Sequence, residues 1–367
     1  ISVFTLAVFL GNKYLLEFTY APTVTKDQVI SVPLLSYYGF SSQYQNAGTL
    51  ESKSYELSLK GSAFQSGNMS LSFQFSADKF SQQITEYNRP PIRTGGTQNT
   101  NPFYLRSGEI LGSIYGTKWM KSTDELPDQV KPFANLFQVN DDGYLVYVGA
   151  GNSWRDGIAK KLWGRRDTVR SSYAYFAKTG LYVYKWGEPI KYQSPDSLLG
   201  TVVPLGNTVP DVNLALSSTF RWGKFSIYAL FDAQIGGMIY NLTRQWAYRD
   251  VASGDNDQIG KSDETKKPVQ YDLTLYDVAS VSNHFLEEGT FVKLRELSIR
   301  YSFERGDLAP FFGDLFNRVT VGLIGRNLKT WTKYKSYDPE VGDVTQRFDG
   351  HGYPNFRQIT GSLEIEF

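Results

Sequence analysis

Phe356-Arg357-Gln358-Ile359-Thr360-Gly361-Ser362-Leu363-Glu364-Ile365-Glu366-Phe367 closes the sequence on an aromatic residue. Phe367, Ile365, Leu363, Gly361 and Ile359 share one side of a two-residue period, and Glu366, Glu364, Ser362, Thr360 and Gln358 share the other. Successive side chains of an extended chain point to opposite faces, so this stretch has an apolar face and a polar one. A strand that is apolar outside, polar inside and aromatic at its end reads as the closing strand of a bacterial outer-membrane β-barrel. A soluble sandwich edge shares the alternation, so repetition upstream has to decide.

The pattern does repeat. Val212 to Trp222 sets Val212, Leu214, Leu216, Phe220 and Trp222 against Asn213, Ala215, Ser217, Thr219 and Arg221. After the turn Gly223-Lys224, the stretch from Phe225 to Gln234 sets Phe225, Ile227, Ala229, Phe231 and Ala233 outward. Met69 to Asp78, Tyr55 to Ala63, Leu297 to Phe303 and Arg318 to Leu323 alternate in the same way. Ser2 to Leu10 and Tyr14 to Tyr20 flank the turn Gly11-Asn12-Lys13, the first of them apolar on both faces. With Ile359 to Phe367 these make nine strands, and two more are expected inside Phe80 to Asp211.

The connections sort by length. Short links join Leu10 to Tyr14, Ala63 to Met69, Trp222 to Phe225 and Phe303 to Asn317, while long excursions fill Ala21 to Ser54, Phe80 to Asp211, Ile235 to Thr290 and Leu328 to Asn355. Short periplasmic turns on one rim and long extracellular loops on the other are the outer-membrane barrel layout. The fold class is therefore all-β, a transmembrane antiparallel barrel. Single-chain bacterial barrels have an even number of strands, so nine lead to the expectation that the rest of the barrel lies elsewhere. The opening Ile1-Ser2-Val3-Phe4, with neither Met nor an export signal, fits that expectation.

Composition narrows the function. Hydrophobic residues make up 41% of the 367 and mean hydropathy is −0.35, too polar for a helical membrane protein. The 25 Tyr and 24 Phe suit interfacial girdles. The absence of Cys removes disulfides and thiol chemistry, and a net charge of +1 gives no electrostatic case for nucleic acid.

His284-Phe285-Leu286-Glu287-Glu288-Gly289-Thr290-Phe291-Val292-Lys293-Leu294-Arg295-Glu296-Leu297 resembles the segment FLEDGSFLRLKNLTLGY of SusC/RagA-type TonB-dependent outer-membrane transporters. Gly325-Arg326-Asn327-Leu328-Lys329-Thr330-Trp331-Thr332-Lys333-Tyr334-Lys335-Ser336-Tyr337-Asp338-Pro339-Glu340-Val341 is close to GRNLFTWTKYKGYDPEV. Tyr353-Pro354-Asn355-Phe356-Arg357 resembles YPQPR before the final strand, and Asn46-Ala47-Gly48-Thr49-Leu50-Glu51 resembles NVGTLE. Gly108 to Gly116 and Gly206 to Asp211 match in position and order. Ser52 and Ser54 depart from the usual Asn and Gly, and Ala21 to Gln43 is short for the family.

The resemblance implies the C-terminal part, residues 1–367, of a plugged barrel of about 22 strands, with the plug and early strands outside this sequence. It implies import of a bulky solute, an oligosaccharide or a peptide. It also implies a SusD-like surface lipoprotein lid, coupling to TonB–ExbB–ExbD through the plug, and contact with outer-membrane lipid. Gly289, Phe291, Asn327, Trp331, Asp338, Pro339 and Phe367 carry family-motif positions with structural roles. A structural or adhesive component that keeps the barrel but not energy-coupled import is the alternative, and a self-contained pore is a third reading.

A solute site in such loops would be built from aromatic faces with polar neighbours. Trp246 and Tyr248, in a variable loop, lead the candidates for solute or lid contact, followed by Trp119, Trp154 and Trp163, with Tyr173, Tyr175 and Tyr334 also available. Asp255-Asn256-Asp257-Gln258-Ile259-Gly260 fails as a calcium loop because Lys266 stands where the closing acid belongs. Gly254 with Gly260-Lys261-Ser262 misses phosphate-loop spacing, and His284 and His351 have no partner at ligand spacing. Glu287-Glu288 and Asp141-Asp142, as neighbours in extended chain, point apart and cannot share a substrate. No catalytic group, metal or cofactor is expected.

Overall fold

The computed structural model describes residues 3–11, 13–94, 102–170, 181–194, 201–276, 281–342 and 346–367. One antiparallel sheet of nine strands forms the wall: β1 (Val3–Phe9), β2 (Tyr14–Thr25), β3 (Thr49–Ser66), β4 (Met69–Glu86), β5 (Val212–Trp222), β6 (Phe225–Ile235), β7 (Phe291–Glu304), β8 (Arg318–Thr332) and β9 (Gln358–Glu366). Each strand pairs with its neighbour in sequence order. Register carries the apolar face across the wall: Phe18 opposite Leu57, Leu57 opposite Ala77, Ala77 opposite Leu214, Phe231 opposite Leu216, Ile299 opposite Ile227, Leu323 opposite Ile299, and Leu363 opposite Val321. The other face is polar, with Glu17, Ser58, Ser76, Ala215, Asp232, Ser298, Thr320 and Glu364 on it. Phe225, Ile227, Phe231, Ile299, Leu323 and Leu363 are all solvent-exposed, the state expected of groups whose solvent is lipid.

Aromatic residues gather toward both ends of that band. Phe225 and Tyr301 approach to 4.7 Å and Tyr301 and Phe303 to 4.8 Å near the short turns, whereas Tyr20 and Tyr55 stack at 4.8 Å toward the long loops.

Two expectations need correction. The strands are longer than alternation indicates: β2 runs to Thr25 and β3 and β4 each run 18 residues, so the first long loop begins later and ends earlier than predicted and the second begins later. About ten tilted residues cross a bilayer. Beyond the hydrocarbon both faces meet water, so the alternation fades while backbone pairing continues. The second correction concerns residues 87–211, which add no strand to the wall among the described residues. Their strands form small sheets of their own, such as Val202–Asn207, Ser113–Thr117, Phe103–Leu105 and Ile92–Thr94 in one and the hairpin Phe137–Val139 with Leu145–Tyr147 in another. The expected short link after Phe303 contains a helix, α3 (Arg305–Phe312).

The long loops fold into a body with its own core. Ile114, Trp119, Tyr240, Tyr271, Val281 and Phe285 pack together there, with α1 (Leu242–Arg249) and α2 (Val269–Tyr276) against them. The first and last wall strands do not pair with each other.

Candidate functional site in the long-loop body

The family-motif residues tie this body to the wall. Arg295 opposes Asn327 and Leu328 at a bulge between β7 and β8. Asn327 takes φ 51°, a conformation that Asn tolerates better than most residues, and its side-chain amide donates to the Phe356 carbonyl at 3.0 Å. Lys293, 1% exposed, donates to Asp338 at 2.6 Å and Glu340 at 2.9 Å. Arg295 bridges Asp232 at 2.5 Å and Glu340 at 2.6 Å. The Arg295 hydrogen bond, helped by Lys293, holds the Glu340 carboxyl down at about 2. Arg347 donates to the carbonyls of Gly289 at 2.9 Å and Pro339 at 3.0 Å, burial lowers its guanidinium to about 10, and Phe291 is buried at the start of β7 with Lys293 over its ring. Trp331 is half-exposed at the end of β8, and Phe367 lies 5.5 Å from Phe316 at the opposite rim.

A cleft of about 570 Å³ opens in the loop body. Its wall draws Asp142 and Tyr144 from one hairpin, Arg244 and Tyr248 from α1, Asp255 and Lys261 from the following loop, and His284, Glu287 and Lys335 from segments near the wall. Asn241 caps α1 by accepting from the Arg244 amide, which sets Arg244 and Tyr248 one turn apart on one face. The Arg244 guanidinium reaches Asp255 at 2.6 Å, Glu287 at 3.3 Å, the His284 carbonyl at 3.1 Å and the Tyr248 hydroxyl at 3.2 Å.

His284 sits between two tyrosines, with Tyr144 Oη 2.7 Å from Nδ1 and Tyr248 Oη 3.0 Å from Nε2. The network assigns the tautomer. Tyr248 donates its proton to Asp255 at 3.1 Å, so Nε2–H donates to Tyr248 and Nδ1 accepts from Tyr144. Burial, reinforced by Arg244, pushes the imidazole down to about 3 and keeps it neutral. Burial also raises both tyrosines well above the usual phenol range. Burial alone would raise Asp255, but the charge and hydrogen bond of Arg244 outweigh it and leave the carboxyl low. This is a rigid polar floor, with hydrogen-bonding groups held in fixed ionisation states.

The sequence candidates are spread around this floor. Tyr248 is part of it. Trp246, on the same helix, carries the Arg249 guanidinium 3.8 Å above its ring. Trp119 is 1% exposed inside the loop core, and its amide donates to Asn283 at 2.9 Å. Trp163 stands edge-on to Trp186 at 4.9 Å, and Trp154 starts a short turn capped by Ser153. Tyr334 is buried and donates to Asp349 at 2.6 Å. Tyr173 and Tyr175 lie outside the described residues. Glu287 and Glu288 do point apart, Glu287 to Arg244 and Glu288 to Lys333, whereas Asp141 and Asp142, expected to diverge, converge on Lys267 at 2.5 and 3.0 Å because a turn and not an extended strand carries them. Sequence reasoning missed Arg244 and Tyr144, weighed Asp255 only as a calcium ligand, and took His284 for an isolated residue. The partners of His284 lie 140 and 36 residues away, a separation no motif spacing reports.

A wall with one lipid-facing surface, one polar surface and loops sorted by rim is a multi-pass β-barrel wall of the outer membrane. No family model matches the chain. TonB-dependent receptor P3 of Formosa agariphila is 25% identical over 371 residues, covering 97% of this chain and 32% of the relative. TonB-dependent receptor P39 of the same organism is 22% identical, covering 94% of this chain and 33% of the relative. The RagAB peptide transporter superposes on 100% of the chain, and the chain on 35% of it, with a TM-score of 0.64 at 20% identity. The RagAB peptide importer in its open-open state gives 0.63 at 19%. The chain is similar in fold to the RagAB transporter and in sequence to TonB-dependent receptors, and it spans about a third of the length of the relatives it matches.

Proposed function

We propose that these residues form the C-terminal wall, lumen lining and extracellular loops of a TonB-dependent importer of a bulky solute, an oligosaccharide or a peptide. A plug domain and further strands complete the barrel, TonB–ExbB–ExbD energises the plug, and a SusD-like lipoprotein covers the loops. The observation that carries this reading is the prebuilt cleft on the long-loop side, where aromatic and charged groups from distant segments converge. Tyr144 and Tyr248 line its buried floor, Arg244 and Glu287 fix its electrostatics, and Lys261 and Lys335 line its walls. Trp246, on the same helix as Arg244 and Tyr248, serves solute or lid contact. Trp119, Trp154 and Trp163 support the cleft from the loop core and its margin.

The test uses the full-length receptor in its native host. Growth on the imported solute should require both the receptor gene and TonB. Lys335→Ala and Trp246→Ala should weaken solute binding to the purified receptor while leaving its folded yield unchanged. Unaltered uptake in the absence of TonB rejects energy-coupled import. Unaltered binding in both variants moves the site away from this cleft.

A further inference from the structure

The link between β7 and β8 differs from the other short turns. Those are tight, as in Gly67-Asn68 and Gly223-Lys224, whereas this one holds α3 and continues through Leu315 and Phe316. Glu304 is the N-cap of the helix, its backbone amide donating to the Asp307 carboxylate at 2.9 Å, and the helix ends at Gly313 with φ 62°. Its charged side is tied down: Asp307 pairs with Lys224 in the neighbouring turn, and Arg305 reaches Asp314 at 2.7 Å. Leu308 is buried beneath it. Its remaining surface is apolar and open, with Phe311 81% exposed, Phe312 54% and Leu315 57%.

These rings continue the lipid-facing band. Phe312 lies 5.4 Å from Phe316, and Phe316 lies 5.5 Å from Phe367. Phe367 follows Ile365 and Leu363 on the lipid-facing period of β9. On the same rim Phe225, Tyr301 and Phe303 form the aromatic girdle described above. A contiguous aromatic patch is not left to water without a use, and aromatic side chains beside a barrel's apolar band belong at the headgroup level. We propose that α3 is an interfacial foot. It lies in the periplasmic leaflet, with Phe311, Phe312 and Leu315 against the glycerol and upper acyl region of phospholipid. Its ion pairs face the wall and the periplasm. In that position it fixes the depth of the β7–β8 link and shields the end of β9 through Phe316 and Phe367. The inference rests on the membrane wall and is independent of the solute.

The absence of cysteine from this sequence makes site-directed labelling direct. Phe311→Cys and Leu315→Cys, each carrying a nitroxide, are placed in the full-length receptor in phosphatidylethanolamine–phosphatidylglycerol vesicles, on any cysteine-free background the rest of the chain needs. Leu323→Cys serves as the lipid reference and Ile259→Cys, in an exposed loop, as the water reference. Collision rates are measured with oxygen, which partitions into lipid, and with a water-soluble nickel chelate. The ratio of oxygen to chelate collisions at 311 and 315 should lie several-fold above that at 259, toward the value at 323. A ratio equal to that at 259 overturns the proposal by placing the helix in water. Low collision rates with both reagents overturn it equally, because they put protein on the patch. Using two labelled sites guards against one substitution disturbing the helix.

Discussion

His284 shows how much a single side chain can be shaped by tertiary structure. Its folded value near 3 lies below the ordinary 6.5, so the unfolded chain binds the extra proton between those limits. Above pH 6.5 the ring is neutral in both states and contributes no slope. As pH falls from 6.5 toward 3, the unfolded state gains protons first and the loop body loses stability, at most about 1.4 kcal/mol per pH unit from this residue. Denaturant titrations of the full-length receptor at pH 7 and pH 5, read by protection of α1, should show that loss, and His284→Gln should flatten it. An unchanged slope in the variant assigns the pH response elsewhere. Gly289 gives a steric counterpart. A Cβ there would stand 2.3 Å from Arg347 Nη1, and the guanidinium cannot retreat because two carbonyls hold it. Gly289→Ala should cost roughly 1–3 kcal/mol, as overpacking does. A melting temperature equal to wild type counts against that packing.

At the scale of the strand, lipid and lumen faces have opposite tolerances. Leu363 is 65% exposed on the apolar face of β9, and Ser362 lies on the polar one. Leu363→Arg should cost roughly 2–4 kcal/mol if it reaches the bilayer midplane, while Ser362→Arg should cost far less. Equal assembly yields for the two variants would reverse the assignment of faces. The nine strands were legible in the sequence because a membrane wall imposes the same two-residue code on every crossing, as Leu214, Leu216 and Phe220 show. Their extensions were not. Leu50 to Ser54 pairs with both β2 and β4 beyond the alternating stretch, where no apolar face is demanded and no alternation records the pairing.

At the scale of the molecule, the wall ends in two edges. In hydrocarbon each unpaired backbone group costs several kcal/mol, so β1 and β9 require further partners. On the proposed reading, strands outside these residues supply them. Leu6→Cys and Ser362→Cys, on the same face of β1 and β9, should therefore fail to cross-link under oxidation in the full-length receptor. A disulfide between them would show a nine-stranded closure and favour a self-contained pore.

The sequence by itself determined the nine alternating strands of the wall, its two faces, the sorting of its loops by rim and the kinship those imply, but not that residues 87–211 add no strand to it among the described residues. These are properties of short segments in contact with a uniform solvent, and each segment carries its own instructions. Only the tertiary structure decided the cleft, the interfacial helix and the tie between Lys293, Asp338 and Glu340. Tyr144, Arg244, Tyr248, Asp255 and His284 acquire their ionisation states and hydrogen bonds from one another, across as many as 140 residues of chain. Chemistry that arises from burial and proximity leaves no local periodicity to read.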